Sequence, residues 1–238
     1  MKHFIAIITL LLITVTAGAQ SINVHKTDGT VVTYPSSEVL YIDFTSKNKD
    51  ALSCPDGNHP HMIDLGLPGG TKWACCNVGA NAPEKNGIYF AWGETQSKNV
   101  YDWDNYELCT GAYNCVSLGD ISGTKYDVAK AHWGSPWHMP TKEQAKTLID
   151  NCTCVTTQLN NIEGFKLTGP NGNSIFFPAT GCYSGSTLRN EGSYGYYWTS
   201  TEDSKNRNQA YYLHFGEGFA LWNCFDARIY GYCIRPVR

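Results

Sequence analysis

Past about His59 the apolar residues of this chain come in short runs, each cut off by Gly, Asn or Ser, and this punctuation constrains the fold more than any other feature. Ile175-Phe-Phe-Pro178, Tyr196-Tyr-Trp-Thr199, Ala210-Tyr-Tyr-Leu-His-Phe215, Ala220-Leu-Trp222 and Tyr232-Cys-Ile-Arg235 have the length of strands and are too short for helices. Only two segments carry helix signals. One lies near Asp127 to Trp133 and is closed by Gly134. In the other, Thr141 stands three residues before Gln144, the spacing of a capping box, and Ala145, Leu148 and Ile149 form one apolar face. Two helices followed by several short strands predict an α+β domain with antiparallel sheets. No period repeats along it, which excludes a solenoid or propeller.

The segment from residue 22 to 44 reads differently. Apolar and polar residues alternate around Asp28-Gly29, a dipeptide suited to the positive φ angles of a tight hairpin, with Val24 on one side and Val31-Val32 on the other. Val39 to Phe44 is a third strand candidate. A three-strand unit of this size buries too little surface to stand alone, so it is expected to dock on the main domain or on a partner. The expected organisation is residues 1–19 as a cleaved leader, 20–46 as the small β unit, 47–59 as a polar linker and 60–238 as the main domain.

The leader reading rests on Lys2 and His3, the apolar run Phe4 to Val15, and the small residues Ala17-Gly18-Ala19 before Gln20. That run is too short to span a membrane, so the expected product is secreted or held at the outer cell surface, without membrane insertion. Cleavage removes Lys2 and no acid, moving the formal net charge from −3 to −4. A mildly acidic chain has no basic stripe for nucleic-acid phosphates. Ten cysteines in an exported chain are expected to pair, leaving few free thiols. Cys109 and Cys115 enclose a short loop suited to a local bridge, and Cys224 with Cys233 brackets a second candidate.

Several ordered motifs carry a family resemblance. Ile63-Asp-Leu-Gly-Leu-Pro-Gly-Gly-Thr-Lys-Trp73, Asn77-Val-Gly-Ala80 and Tyr89-Phe-Ala-Trp-Gly-Glu94 resemble the opening of the Fibrobacter succinogenes major paralogous domain. Trp133-Gly-Ser-Pro-Trp-His-Met-Pro-Thr141 is similar to its central signature, and Gly195-Tyr-Tyr-Trp-Thr-Ser200 with Gly231-Tyr-Cys-Ile-Arg-Pro-Val237 to its ending. His138 stands where that pattern has Arg, and Cys233 where a small or apolar residue is common. The segment His25 to Phe44 resembles a short amino-terminal unit of exported Bacteroidetes proteins. The resemblance implies a C-type-lectin-like fold, a scaffold shared with formylglycine-generating enzymes and with hypervariable receptors, and it implies no single ligand.

The chemistry readable from the residues favours binding over catalysis. Calcium-dependent lectins of this fold use Glu-Pro-Asn or Gln-Pro-Asp with Trp-Asn-Asp. Here Trp222-Asn223-Cys224 puts a thiol where the last carboxylate would be, so no metal is expected. Cys224 and Cys233 invite comparison with the reactive pair of the formylglycine-generating relatives, but no neighbouring Lys or His lowers their pKa. His59-Pro60-His61 lacks accompanying ligands, His132 and His214 lie in apolar contexts, and no Gly-x-Ser-x-Gly turn is present. No enzyme activity and no cofactor are expected.

What remains is an aromatic surplus: 13% of residues are Phe, Trp or Tyr, and the 15 tyrosines concentrate after residue 180. Trp198, Leu213 and Phe215 are assigned to the core. Tyr183, Tyr194, Tyr211, Trp222, Phe225 and Tyr230, interleaved with Arg189, Asn190, Arg207, Asp226 and Arg228, are more than one side of a sheet can bury. That mixture is the composition of a binding surface, with Trp222 and Arg228 as anchors. The expected function is a ligand-binding or adhesion module for a protein or glycan at the cell surface. The alternatives are a structural subunit that adds its N-terminal strands to a neighbour's sheet, and an oxidase related to the formylglycine-generating enzymes.

Overall fold

The computed structural model describes residues 21–25, 30–35, 61–111 and 114–238. The chain divides into two units, Met1–Ser46 and Lys47–Arg238. In the first, β1 (Ser21–His25) pairs antiparallel with β2 (Val31–Pro35), Ser21 opposite Pro35 and His25 opposite Val31. The expected turn at Asp28-Gly29, the third strand Val39 to Phe44, the leader and the linker lie outside the described residues.

The second unit is α+β, with two helices and mostly antiparallel pairing. Its first described elements are a hairpin of β3 (Met62–Asp64) and β4 (Lys72–Ala74). The chain's last residues return to that hairpin: Lys72 N donates to Arg238 O at 2.9 Å and Ala74 N to Pro236 O at 2.8 Å. Both helices form where their caps predict. For α1 (Val128–Trp133), Asp127 Oδ1 accepts from Lys130 N at 3.0 Å, and Gly134, at φ 75°, ends the helix. For α2 (Lys142–Asn151), Thr141 Oγ1 accepts from Gln144 N at 3.1 Å while Gln144 Oε1 accepts from Thr141 N at 2.9 Å.

Strands β5 (Thr153–Leu159), β6 (Ile162–Thr168) and β7 (Ser174–Pro178) make one sheet in that order. A small hairpin follows, β8 (Cys182–Ser184) with β9 (Thr187–Arg189). The last sheet is β10 (Gly195–Glu202), β11 (Gln209–Gly216) and β12 (Phe219–Ala227). Side chains alternate across it, so neighbouring residues enter different cores. Tyr197, Leu213 and Phe215 join Leu148 of α2 with Phe165 and Phe177. Trp198 and Tyr212 join Trp92, Phe90, Val128 and Met139. The expected strand Tyr232–Arg235 makes isolated bridges instead, Tyr232 to Phe90 and Cys233 to Tyr197.

Of the two expected disulfides, Cys109–Cys115 is formed. The Cys224–Cys233 bridge is not: both thiols are free. Cys233 is buried in the core beside α2, its thiol donating to Asn86 O at 3.1 Å, whereas Cys224 packs on the core across the sheet. The expectation of few free thiols is corrected as well, because Cys152, Cys154, Cys182, Cys224 and Cys233 are free.

Candidate ligand-binding cleft

The face of the β10–β12 sheet that turns away from α2 carries an aromatic row that runs from the buried Tyr212 and Tyr232 out to the half-buried Tyr196 and His214. Tyr196 stacks on His214 at 4.8 Å and on Tyr212 at 5.9 Å, and Tyr232 lies 5.2 Å from Tyr196. Tyr230 and Tyr232, two residues apart, hold their rings parallel within 7° at 6.2 Å. Beside this row the β8–β9 hairpin brings up Cys182, Ser184 and Arg189, and β12 brings Asp226. Together with Tyr196, Tyr230 and Tyr232 they enclose an open cleft of about 170 Å³.

Hydrogen bonds fix its walls. Tyr232 Oη donates to Asp226 Oδ2 at 2.9 Å, and Asp226 Oδ1 accepts from Ala227 N at 2.7 Å. On the rim, Asn190 Nδ2 donates to Tyr196 Oη at 3.0 Å, from a backbone held at φ 59°. Arg189 is exposed, and among the described residues neither Arg189 nor Asp226 takes part in an ion pair. The cleft thus presents one cation and one anion that have not neutralised each other.

Burial governs the protonation of the walls. It holds the Tyr232 hydroxyl well above the usual tyrosine range, with the nearby Asp226 carboxylate adding to the effect. It also raises Tyr196, against the opposing hydrogen bond from Asn190. The Cys182 thiol is pushed up to about 11 by burial and then by Asp226, against the pull of Arg189. At neutral pH these groups are therefore neutral donors and apolar surfaces, and Cys182 is no nucleophile.

Of the residues expected to bind, the structure brings Arg189, Asp226 and Tyr230 into the cleft and Asn190 to its rim, with Tyr194 beside Tyr196 at 6.4 Å. The others go elsewhere. Tyr183 packs between Tyr89 at 4.9 Å and Tyr101 at 5.5 Å. Arg207 is exposed between β10 and β11 and does not line the cleft. Tyr211 carries Lys142 Nζ at 3.7 Å over its ring and touches Phe225 edge-on at 5.9 Å. Trp222 lies under Lys142 at 5.5 Å and Lys146 at 5.2 Å. So Trp222 belongs to the α2 side, where Lys142 and Lys146 share its surface.

Arg228 is the clearest correction. It is fully buried, paired with Glu202 at 2.8 Å, stacked over Trp92 at 4.3 Å and donating to Val116 O at 2.9 Å. No ligand can reach it. Cys182, Ser184, Tyr196 and Tyr232 also line the cleft, beyond the residues that the sequence points to. Tyr196 and Tyr232 sit in aromatic runs that read as strands, and their alternation with Tyr197 and Cys233 is the signal that separates cleft from core.

A family model described as a domain of unknown function (DUF8237) matches residues 156–237. That span contains every residue lining the cleft. No curated protein and no solved structure matches the chain.

Two other cavities are larger but already satisfied. One, of about 440 Å³, runs past Glu94 and Lys98, which pair with each other while Glu94 also accepts from Glu107 N at 2.8 Å. The other, of about 380 Å³, is lined by Glu84, Glu163 and Glu191, and each carboxylate accepts from a side-chain amide, those of Asn160, Gln158 and Asn86. Among the described residues no three His, Cys, Asp or Glu side chains gather at metal-holding spacing, and no helix is long and apolar enough to cross a membrane.

Proposed function

We propose that this chain is an exported recognition module, secreted or at the outer cell surface, that binds a protein or glycan without calcium and without catalysis. The observation that carries the reading is the Arg189–Asp226 cleft: two charges left unpaired beside an aromatic wall, open to solvent. Aromatic faces with a few convergent polar groups give contact area and orientation together. A C-type-lectin-like architecture is the proposed scaffold. Its support is the family resemblance of the motifs together with the closure of the unit by its own ends, β4 against residues 236–238.

The non-catalytic reading draws on the thiols. Burial lifts Cys233 far above the ordinary thiol range and raises Cys224 too, so neither supplies a thiolate at neutral pH. The calcium-independent reading draws on Trp222-Asn223-Cys224, where a thiol replaces a hard oxygen ligand.

A glycan array and a pull-down with immobilised protein identify the ligand, and cleft variants locate it. Tyr230→Ala and Asp226→Ala are expected to weaken binding at least tenfold while retaining a cooperative melt, and chelation of calcium is expected to leave affinity unchanged. Undiminished binding by both folded variants would refute the site. Loss of binding on chelation would restore a calcium-dependent mechanism.

A further inference from the structure

Resting on the reading of the cleft as a ligand site, the geometry points to its occupant: the terminal, carboxylate-bearing sugar of an acidic glycan. The size argument comes first. A cavity of about 150 Å³ holds one benzene-sized ring, so a volume of about 170 Å³ is the room of one six-membered ring. Drug-sized ligands occupy larger and more enclosed pockets. An open cleft of this size takes one end unit and leaves the rest of a chain in solvent.

Charge and hydrogen bonding then select among end units. The Arg189 guanidinium is exposed, unpaired and planar, which suits two parallel bonds to one carboxylate. Each Asp226 oxygen already accepts one bond, from Tyr232 Oη and from Ala227 N. A carboxylate oxygen has two acceptor positions, so Asp226 has one left on each oxygen, the arrangement for two hydroxyls. Its charge also repels a second anionic group. The ligand class that meets these terms carries one carboxylate together with hydroxyls. Ser184 and Tyr230 add hydroxyl partners from two sides.

The walls supply the remaining selection. Tyr196 and Tyr230, both partly exposed, offer ring surface on which the C–H face of a pyranose can rest, and the buried Tyr232 backs them. A phosphorylated ligand brings two negative charges toward Asp226. An acidic peptide end brings a carboxylate but no pair of hydroxyls for Asp226.

The test uses the full chain and a panel of oligosaccharides ending in glucuronic, galacturonic or sialic acid, each beside its carboxyl-reduced counterpart, with a glutamate-rich peptide as competitor. At least one acidic terminus is expected to bind tenfold or more tightly than its reduced form. That advantage is expected to vanish in Arg189→Gln and to shrink with added salt, while Asp226→Asn weakens the acidic and reduced forms alike. The side chain of Arg189 is exposed, so the Gln variant should melt like the parent. Equal affinity for acid and reduced forms, no binding anywhere in the panel, or tighter binding of the peptide would overturn the inference. In each of those cases the Tyr230→Ala pull-down still reports independently on whether the cleft binds a ligand at all.

Discussion

Arg228 and Glu202 form a buried ion pair at 2.8 Å, and the pair is the hub that ties the β10–β12 sheet to the preceding loops. Glu202 accepts from Leu118 N at 2.6 Å, Gly119 N at 2.7 Å and Ser117 Oγ at 3.1 Å, while Arg228 reaches Val116 O and the face of Trp92. Removing one partner of such a pair leaves a buried charge unmatched, at a cost of about 3–5 kcal/mol. Arg228→Ala is therefore expected to lower stability by that order, and Glu202→Ala likewise. Denaturant titration measures it. A loss below about 1 kcal/mol in both would mean that water enters and screens the pair.

His214 predicts a pH dependence. Its ring is enclosed by Tyr196 at 4.8 Å, Phe219 at 5.0 Å, Tyr212 at 5.6 Å and Tyr194 at 5.7 Å, and its Nε2 is buried without a hydrogen-bond partner. Burial lowers its pKa below 6.5, with Asp226 partly opposing. Between the folded pKa and 6.5 the unfolded chain binds more protons, so stability falls as pH falls. The contribution is complete above about 6.5 and is lost as pH drops through the folded value. Urea titrations from pH 8 to pH 5 should show a shallower decline in His214→Phe than in the parent. Identical slopes would refute the assignment.

Cysteine reactivity gives a second titration. Cys75, Cys76 and Cys233 are buried, and burial pushes Cys152, Cys154 and Cys182 up to about 11. At pH 8 a thiol of that pKa is roughly one part in a thousand thiolate, which makes it slow toward disulfide reagents and oxidants alike. The native protein is expected to react slowly and incompletely, and the denatured one to release at least the five equivalents of Cys152, Cys154, Cys182, Cys224 and Cys233. Fewer than five on denaturation would show that some of these cysteines pair in the purified protein.

What was legible in the residues was what local chemistry dictates. Thr141 with Gln144 and Asp127 with Gly134 marked the helix ends because a cap satisfies backbone groups within a few residues of itself. The β5–β6 hairpin is weakly signalled, its one local cue being Asn160 and Asn161, which at φ 51° and 63° are suited to a tight turn. Its first strand, largely polar and half exposed, shows no apolar alternation. The burial of Arg228 is not legible in the sequence because it depends on Glu202, a partner remote in sequence. Trp222 and Asp226 were placed on one surface, but β12 carries a bulge: Cys224 pairs with Tyr212 while Leu221 pairs with His214. The extra residue sends Trp222 toward α2 and leaves Asp226 in the cleft, a change of face that a period of two cannot reveal.

The cleft depends on one glycine. Gly181 stands at φ 62°, donates from its N–H to Tyr194 O at 2.8 Å, and bridges Gly195, so it sets the β8–β9 hairpin against β10 and brings Arg189 and Cys182 alongside Tyr196. A Cβ there would lie 2.3 Å from Arg189 O and 2.6 Å from Glu191 N, both backbone atoms of the segment it positions. Gly185, in the β8–β9 turn, has a similar φ of 60° but nothing within 4 Å of an added Cβ. Comparing the two alanine variants separates conformational strain from collision. Gly185→Ala should cost about 1 kcal/mol, the penalty of a left-handed residue with a side chain. Gly181→Ala adds the clash, and is expected to cost about 3 kcal/mol or more and to weaken ligand binding through displacement of Arg189. Denaturant melts give the first comparison and binding assays on the folded variants the second. Equal stability losses for the two substitutions would show that the hairpin shifts freely, and that the cleft is not held by this contact.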